Sequence, residues 1–130
     1  MSPEVRAAFD GMQAPARERA LALRDLVLRV AKAEGIALEE TLKWGEPAYL
    51  PGRAGTTVRI GTDKSGAQAR LLVNCQTTLV EDWRWMFGGR LHCEGNRAVL
   101  VQGPPDEEAL GICVAMALTY HASKRKAAHG

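Results

Sequence analysis

The stretch Glu39-Glu40-Thr41-Leu42-Lys43-Trp44-Gly45-Glu46-Pro47-Ala48-Tyr49-Leu50 most constrains the fold, because the hydrophobic period changes across it. Before it, Ala16, Ala20, Leu23, Val27 and Val30 recur at helical spacing between Pro15 and Gly35, the pattern of an amphipathic helix. After it, Thr57-Val58-Arg59-Ile60 and Arg70-Leu71-Leu72-Val73 read with the period of two that a half-buried strand shows. The spacing predicts a helical turn over Leu38 to Leu42, which makes the stretch a helix-to-strand corner. Gly45 lets the chain turn, Pro47 fixes φ and starts an extended segment, and Trp44 and Tyr49 are expected to bury their rings there.

The remaining elements follow from local signals. Ser2-Pro3-Glu4 reads as a helix start, closed at Gly11. Asp63-Lys64-Ser65-Gly66 supplies the turn of a hairpin, and Pro47 to Leu50 forms an edge strand, because proline cannot donate to a central ladder. Thr78-Leu79-Val80-Glu81 fits a capping box before a helix through Trp83-Arg84-Trp85-Met86-Phe87 that stops at Gly88-Gly89. Arg90 to Glu94 and Ala98 to Gln102 make a second hairpin around Gly95-Asn96. Pro104-Pro105-Asp106-Glu107-Glu108 opens the last helix, with Leu110, Val114, Ala117 and Tyr120 on one face, and Lys124-Arg125-Lys126 fray beyond its end. The expected fold is α+β, a single domain over residues 1–130 with an antiparallel sheet of about five strands packed against N-terminal and C-terminal helices.

Charge and composition exclude several classes. Seventeen Lys and Arg against fifteen Asp and Glu leave a formal charge of +2, too small for the strong field of a dedicated nucleic-acid binder, so no nucleic acid is expected. The Arg-rich face of the long helix is expected to be solvated. The most apolar run, Ala109 to Leu118, is too short to cross a bilayer, and the first residues lack the apolar core of a secretory signal. Cys75, Cys93 and Cys113 form no CxxC and are read as buried free thiols. These features point to a cytoplasmic protein without membrane contact.

No catalytic motif is present. Gly61-Thr62-Asp63-Lys64-Ser65-Gly66 lacks the residue order of a phosphate loop, and neither GxSxG nor HExxH occurs. Strand alternation sends His92 and Glu94 to one face and Cys93 to the other, so no metal site is expected there. All three tryptophans lie in the corner or in the Trp83-to-Phe87 helix. Trp83 and Phe87 pair at helical spacing, whereas Trp85 points elsewhere and needs another neighbour. Glu40, Lys43 and Glu46 set opposite charges beside Trp44, with Tyr49 and Trp85 as further candidates, an arrangement able to grip a small polar ligand. The folded corner is the preferred reading of Trp44, Gly45, Pro47 and Tyr49, and the functional reading rests on the charged Glu40, Lys43 and Glu46.

Glu40 and the run Lys43-Trp44-Gly45-Glu46-Pro47-Ala48-Tyr49 resemble the characteristic segment of the YdhG-like family, small bacterial domains of unknown function. The resemblance implies an α+β fold with an antiparallel sheet backed by helices, and, for some relatives, a role as frataxin-like iron chaperones. Iron enters through that resemblance alone, since Glu4, Asp10, Glu18 and Asp25 are scattered among more numerous bases. The expectation is therefore a non-enzymatic domain binding a small polar molecule or a protein partner beside Lys43-Trp44-Gly45-Glu46-Pro47, with a frataxin-like iron-binding chaperone as the alternative. A homodimer is allowed, since small sheet domains pair readily, though no self-complementary stretch is visible.

Overall fold

The computed structural model describes the backbone from Met1 to His129 and the side chains of residues 1–126. Helix α1 spans Pro3–Asp10, with the Ser2 hydroxyl accepting from the Val5 N–H at 3.3 Å. Helix α2 spans Ala14–Glu34 and ends on Gly35, whose φ of 69° is the left-handed C-cap that glycine adopts without strain. Strands β1 (Glu39–Lys43) and β2 (Glu46–Leu50) follow, then β3 (Val58–Thr62) and β4 (Ala69–Leu72), joined by a turn in which Gly66 has φ 77°. Helix α3 (Leu79–Phe87) leads to β5 (His92–Glu94) and β6 (Ala98–Val101), and α4 (Glu107–Leu118) and α5 (Tyr120–His129) close the chain.

The sheet is antiparallel throughout, in the order β1-β2-β3-β4-β6-β5. The fold is α+β, as the sequence indicates, with six strands instead of about five. The extra strand is Glu39–Lys43, expected as a helical turn. Its residues have no helix start of their own, and the turn that follows dictates a hairpin. Trp44 and Gly45 have φ of 56° and 75°, and Lys43 pairs with Glu46. Two positive-φ residues between paired strands are the signature of a type I′ turn, so the stretch is a strand-to-strand reversal and not a helix-to-strand corner.

Three further expectations are corrected. Pro47 lies in an interior strand, and β1 is the edge. The β1–β2 bonds flank the turn and recur at alternate residues, so β1 does not call on the missing Pro47 N–H, and the β2–β3 ladder covers only Ala48 and Tyr49. Thr78 forms no capping box. Its hydroxyl lies 3.2 Å from Asp82 Oδ2, and no side chain caps α3. Lys124-Arg125-Lys126 belong to a separate helix, α5, after Thr119 ends α4, so they do not form a frayed end.

Strand parity divides the sheet cleanly. Tyr49, Val58, Ile60, Ala69, Leu71, Val73, Val99 and Val101 share one face and join Leu23, Val27, Trp83, Leu110 and Val114 in the core. Helices α1 and α2 lie against this face, and α4 packs on α2 and β3. The opposite face presents Lys43, Glu46, Arg59, Arg70, His92 and Glu94. Ala48, Leu72 and Ala98 are also on that face and are buried, outside the main core.

Two glycines allow close approaches. A Cβ at Gly55 would overlap the backbone of Ala117 and Leu118 at the end of α4, where Thr56 N–H already donates to Ala117 C=O at 2.9 Å. A Cβ at Gly61 would overlap the Glu46 carboxylate, which lies across it. Backbone cannot step aside and a glutamate can. Gly55→Ala is therefore expected to lower unfolding free energy by about 3 kcal/mol and Gly61→Ala by about 1 kcal/mol. Urea denaturation with equal m-values checks the order, and a milder Gly55 variant would contradict it.

Candidate functional site

Parity also decides which of the candidate residues can meet. Glu40 and Tyr49 are cross-strand partners on the helix-covered face, whereas Lys43 and Glu46 are partners on the open face. Glu40 therefore does not stand with Lys43 and Glu46 beside Trp44, contrary to expectation. Its carboxylate accepts from Arg24 Nε at 2.6 Å, Arg24 Nη2 at 3.2 Å and the Tyr49 hydroxyl at 2.8 Å. Arg24, on the face of α2 expected to be solvated, is thus docked onto the sheet with its side chain 23% exposed.

The ionisation of this trio follows from its surroundings. Partial burial pushes Glu40 up, but hydrogen bonds from Arg24 and Tyr49 with the Arg24 charge outweigh it and hold Glu40 below its ordinary value. Tyr49 is raised, first by burial and then by its bond to the Glu40 carboxylate. Both groups are committed to the fold, and Tyr49 is wholly buried.

Trp44 behaves oppositely to the expectation of burial. The type I′ turn lifts it from the sheet end and leaves it 90% exposed. Trp85, expected to find a neighbour, is 86% exposed on α3, while Trp83 from the same helix is buried. Helix periodicity puts residues two apart on different sides. Trp85 does not line the cleft that Trp44 borders.

That cleft, of about 290 Å³, runs along the open face from Lys43 and Trp44 past Arg59 to Thr57, Asn74 and Arg97. Arg59 Nη1 donates to Glu46 Oε1 at 2.6 Å, and both side chains are less than a quarter exposed. The corner thus contributes Lys43 and Trp44 directly and Glu46 through Arg59. Sequence reading missed Thr57, Arg59, Asn74 and Arg97. Alternation already placed Arg59 on the polar face of its strand, but nothing local in the sequence brings Asn74 or Arg97 to it.

Other depressions are chemically closed or plain. Beside β5, Arg90 is bidentate to Asp106 at 3.0 Å and also reaches Glu108 at 3.0 Å, so the charges there satisfy one another. The hydrogen bonds that Arg90 donates to Asp106 and Glu108 raise it above its ordinary value, and Arg90 in turn holds Asp106 low. Between α1 and the corner, Gln13, Thr62 and small residues line a second hollow that Glu46 borders from its other side. His92 and Glu94 share the open face and Cys93 the other, and Arg70 Nη1 lies 3.5 Å from Glu94. Among the described residues no three His, Cys, Asp or Glu side chains are placed to hold a metal ion. Of the three free thiols only Cys113 is fully buried, its pKa pushed up to about 12 chiefly by burial, while Cys93 is half-buried and Cys75 is exposed, so the expectation of buried thiols fails for Cys75. No helix is long and apolar enough among the described residues to cross a membrane.

Comparison of the chain with family models, with curated proteins and with solved structures finds no match.

The lowered pKa of Glu40 carries a pH signature. A carboxylate held below its unfolded value contributes stability above that unfolded pKa and loses it as pH falls through the folded one. Glu40→Gln is therefore expected to cost about 1–3 kcal/mol at pH 7. The difference from the parent should shrink below about pH 4.5, the ordinary glutamate range. Urea melts at pH 7 and pH 3 check this, and a pH-independent difference would assign the loss to packing alone.

Proposed function

We propose that this chain is a non-enzymatic binding domain that takes a small polar molecule in the cleft beside Lys43-Trp44-Gly45-Glu46-Pro47. The observation that carries the reading is the Trp44 indole, 90% exposed at the rim of a cleft whose floor holds Arg59. Water gains nothing from an indole, whereas a bound molecule gains a flat apolar surface of large area. Around it, Lys43, Thr57, Asn74 and Arg97 supply the few polar groups that orient a ligand. The cleft volume sits at the small end of the range for ligand pockets, which favours a metabolite-sized occupant over a large one.

Glu40 and Tyr49 leave the set of ligand-binding candidates, because their polar atoms are spent on Arg24 and on each other. Trp85 leaves it because it borders a different surface. The resemblance of the segment to the YdhG-like family agrees with a structural role for Tyr49 and Gly45 and adds no ligand of its own. Nothing in the geometry favours the iron-chaperone alternative over this reading.

Tryptophan fluorescence tests the proposal. In a Trp85→Phe background, Trp44 is the solvent-facing indole and Trp83 the buried one. Titration with a panel of neutral, anionic and cationic metabolites should give at least one saturable change in emission. Replacing Trp44 with alanine, which also removes the reporter, should weaken that ligand by about tenfold when binding is measured by calorimetry, the effect of losing one stacking surface. Saturable binding unaffected by Trp44→Ala, or no response across the panel, would overturn the assignment of this cleft.

A further inference from the structure

The cleft beside Trp44 is one-sided in charge. Lys43, Arg59 and Arg97 line it, and no carboxylate does. On the same face of the sheet Arg70 approaches Glu94 at 3.5 Å. In the cleft only Arg59 is matched, by Glu46. Lys43 and Arg97 make no salt bridge among the described residues. Two cations are thus left facing a shared space without an anion.

The neutral groups in the lining lean the same way. Asn74 Oδ1 accepts from the Gln76 N–H at 2.9 Å, and the Asn74 amide nitrogen, a donor, has no hydrogen-bond partner among the described residues. The Thr57 hydroxyl adds a further donor. A site that offers ammonium, guanidinium, amide and hydroxyl donors is complementary to a compact oxyanion. A dianion matches the two unpaired cations, and guanidinium groups fit phosphate oxygens geometrically. At the rim, Trp44 adds a planar stacking surface.

We propose that the cleft binds a phosphate monoester carrying a planar ring, with nucleoside 5′-monophosphates as its simplest representatives. The phosphate sits among Lys43, Arg59 and Arg97, and the ring lies on Trp44. This inference rests on the reading of the cleft as a ligand site and adds the charge and shape of the ligand.

Calorimetric titration of the full chain with the four ribonucleoside 5′-monophosphates, adenosine and inorganic phosphate tests it. At least one monophosphate should bind saturably, with adenosine and phosphate each at least tenfold weaker. Lys43→Ala and Arg97→Ala should each weaken that monophosphate about fivefold or more, and raised salt should do the same to the parent protein. Both side chains are exposed, so thermal melts of the variants should match the parent. Adenosine binding as tightly as its monophosphate, or both charge variants binding like the parent, would overturn the anionic assignment while leaving a small-molecule cleft in place. No saturable heat with any of the four monophosphates would also overturn it. The wider fluorescence panel then decides separately whether the cleft binds another small molecule.

Discussion

The three-way contact among Arg24, Glu40 and Tyr49 settles how the rest of the molecule is arranged. It joins α2 to the edge of the sheet through charge-assisted hydrogen bonds, at a point where all three side chains are at least partly buried. Because side chains alternate along a strand, turning Glu40 and Tyr49 toward the helices forces Lys43 and Glu46 to the other face. A slip of one residue in β1 would place Thr41 against α2 and strand the arginine. The contact therefore selects the strand register, and through it the composition of the open face.

On that face charge is mostly balanced in pairs laid across the strands. Glu46 lies over Gly61 to reach Arg59, and Arg70 approaches Glu94. Ala48, Leu72 and Ala98 are buried on this face as well, so that the sheet has a thin second apolar layer outside the main core. Where the pairing runs out, around Lys43 and Arg97, the face opens into the cleft. Glu46 serves both ends of this arrangement: it neutralises Arg59 and fixes the position of the guanidinium.

Much of the fold can be read directly from residue patterns. The apolar spacing of α2, the glycine at its C-terminus, the Ser2 cap and both later hairpins follow from local chemistry that the tertiary structure respects. The strand character of Glu39–Lys43 is not legible locally because it comes from its neighbour: a short mixed-polarity run has no decisive period, and the turn at Trp44-Gly45 imposes one. The site was half legible. Lys43, Trp44 and Glu46 belong together by sequence, and Glu40 is excluded only once strand parity is known. Asn74 and Arg97 join through pairing between distant segments, as the bond from Val73 N–H to Arg97 C=O illustrates, and no local signal encodes such a meeting.

Position 44 also shows a conflict between two demands on one residue. A type I′ turn is made most readily by asparagine or glycine, and a bulky side chain in the left-handed region is disfavoured. An asparagine there would serve the hairpin better and would keep a large apolar ring out of water. With tryptophan in its place, the tip of the hairpin is less stable than its geometry permits, and an apolar ring is left in water there. Folding alone would not select that residue, so the hairpin tip is where the interests of the fold and of the exposed surface part company.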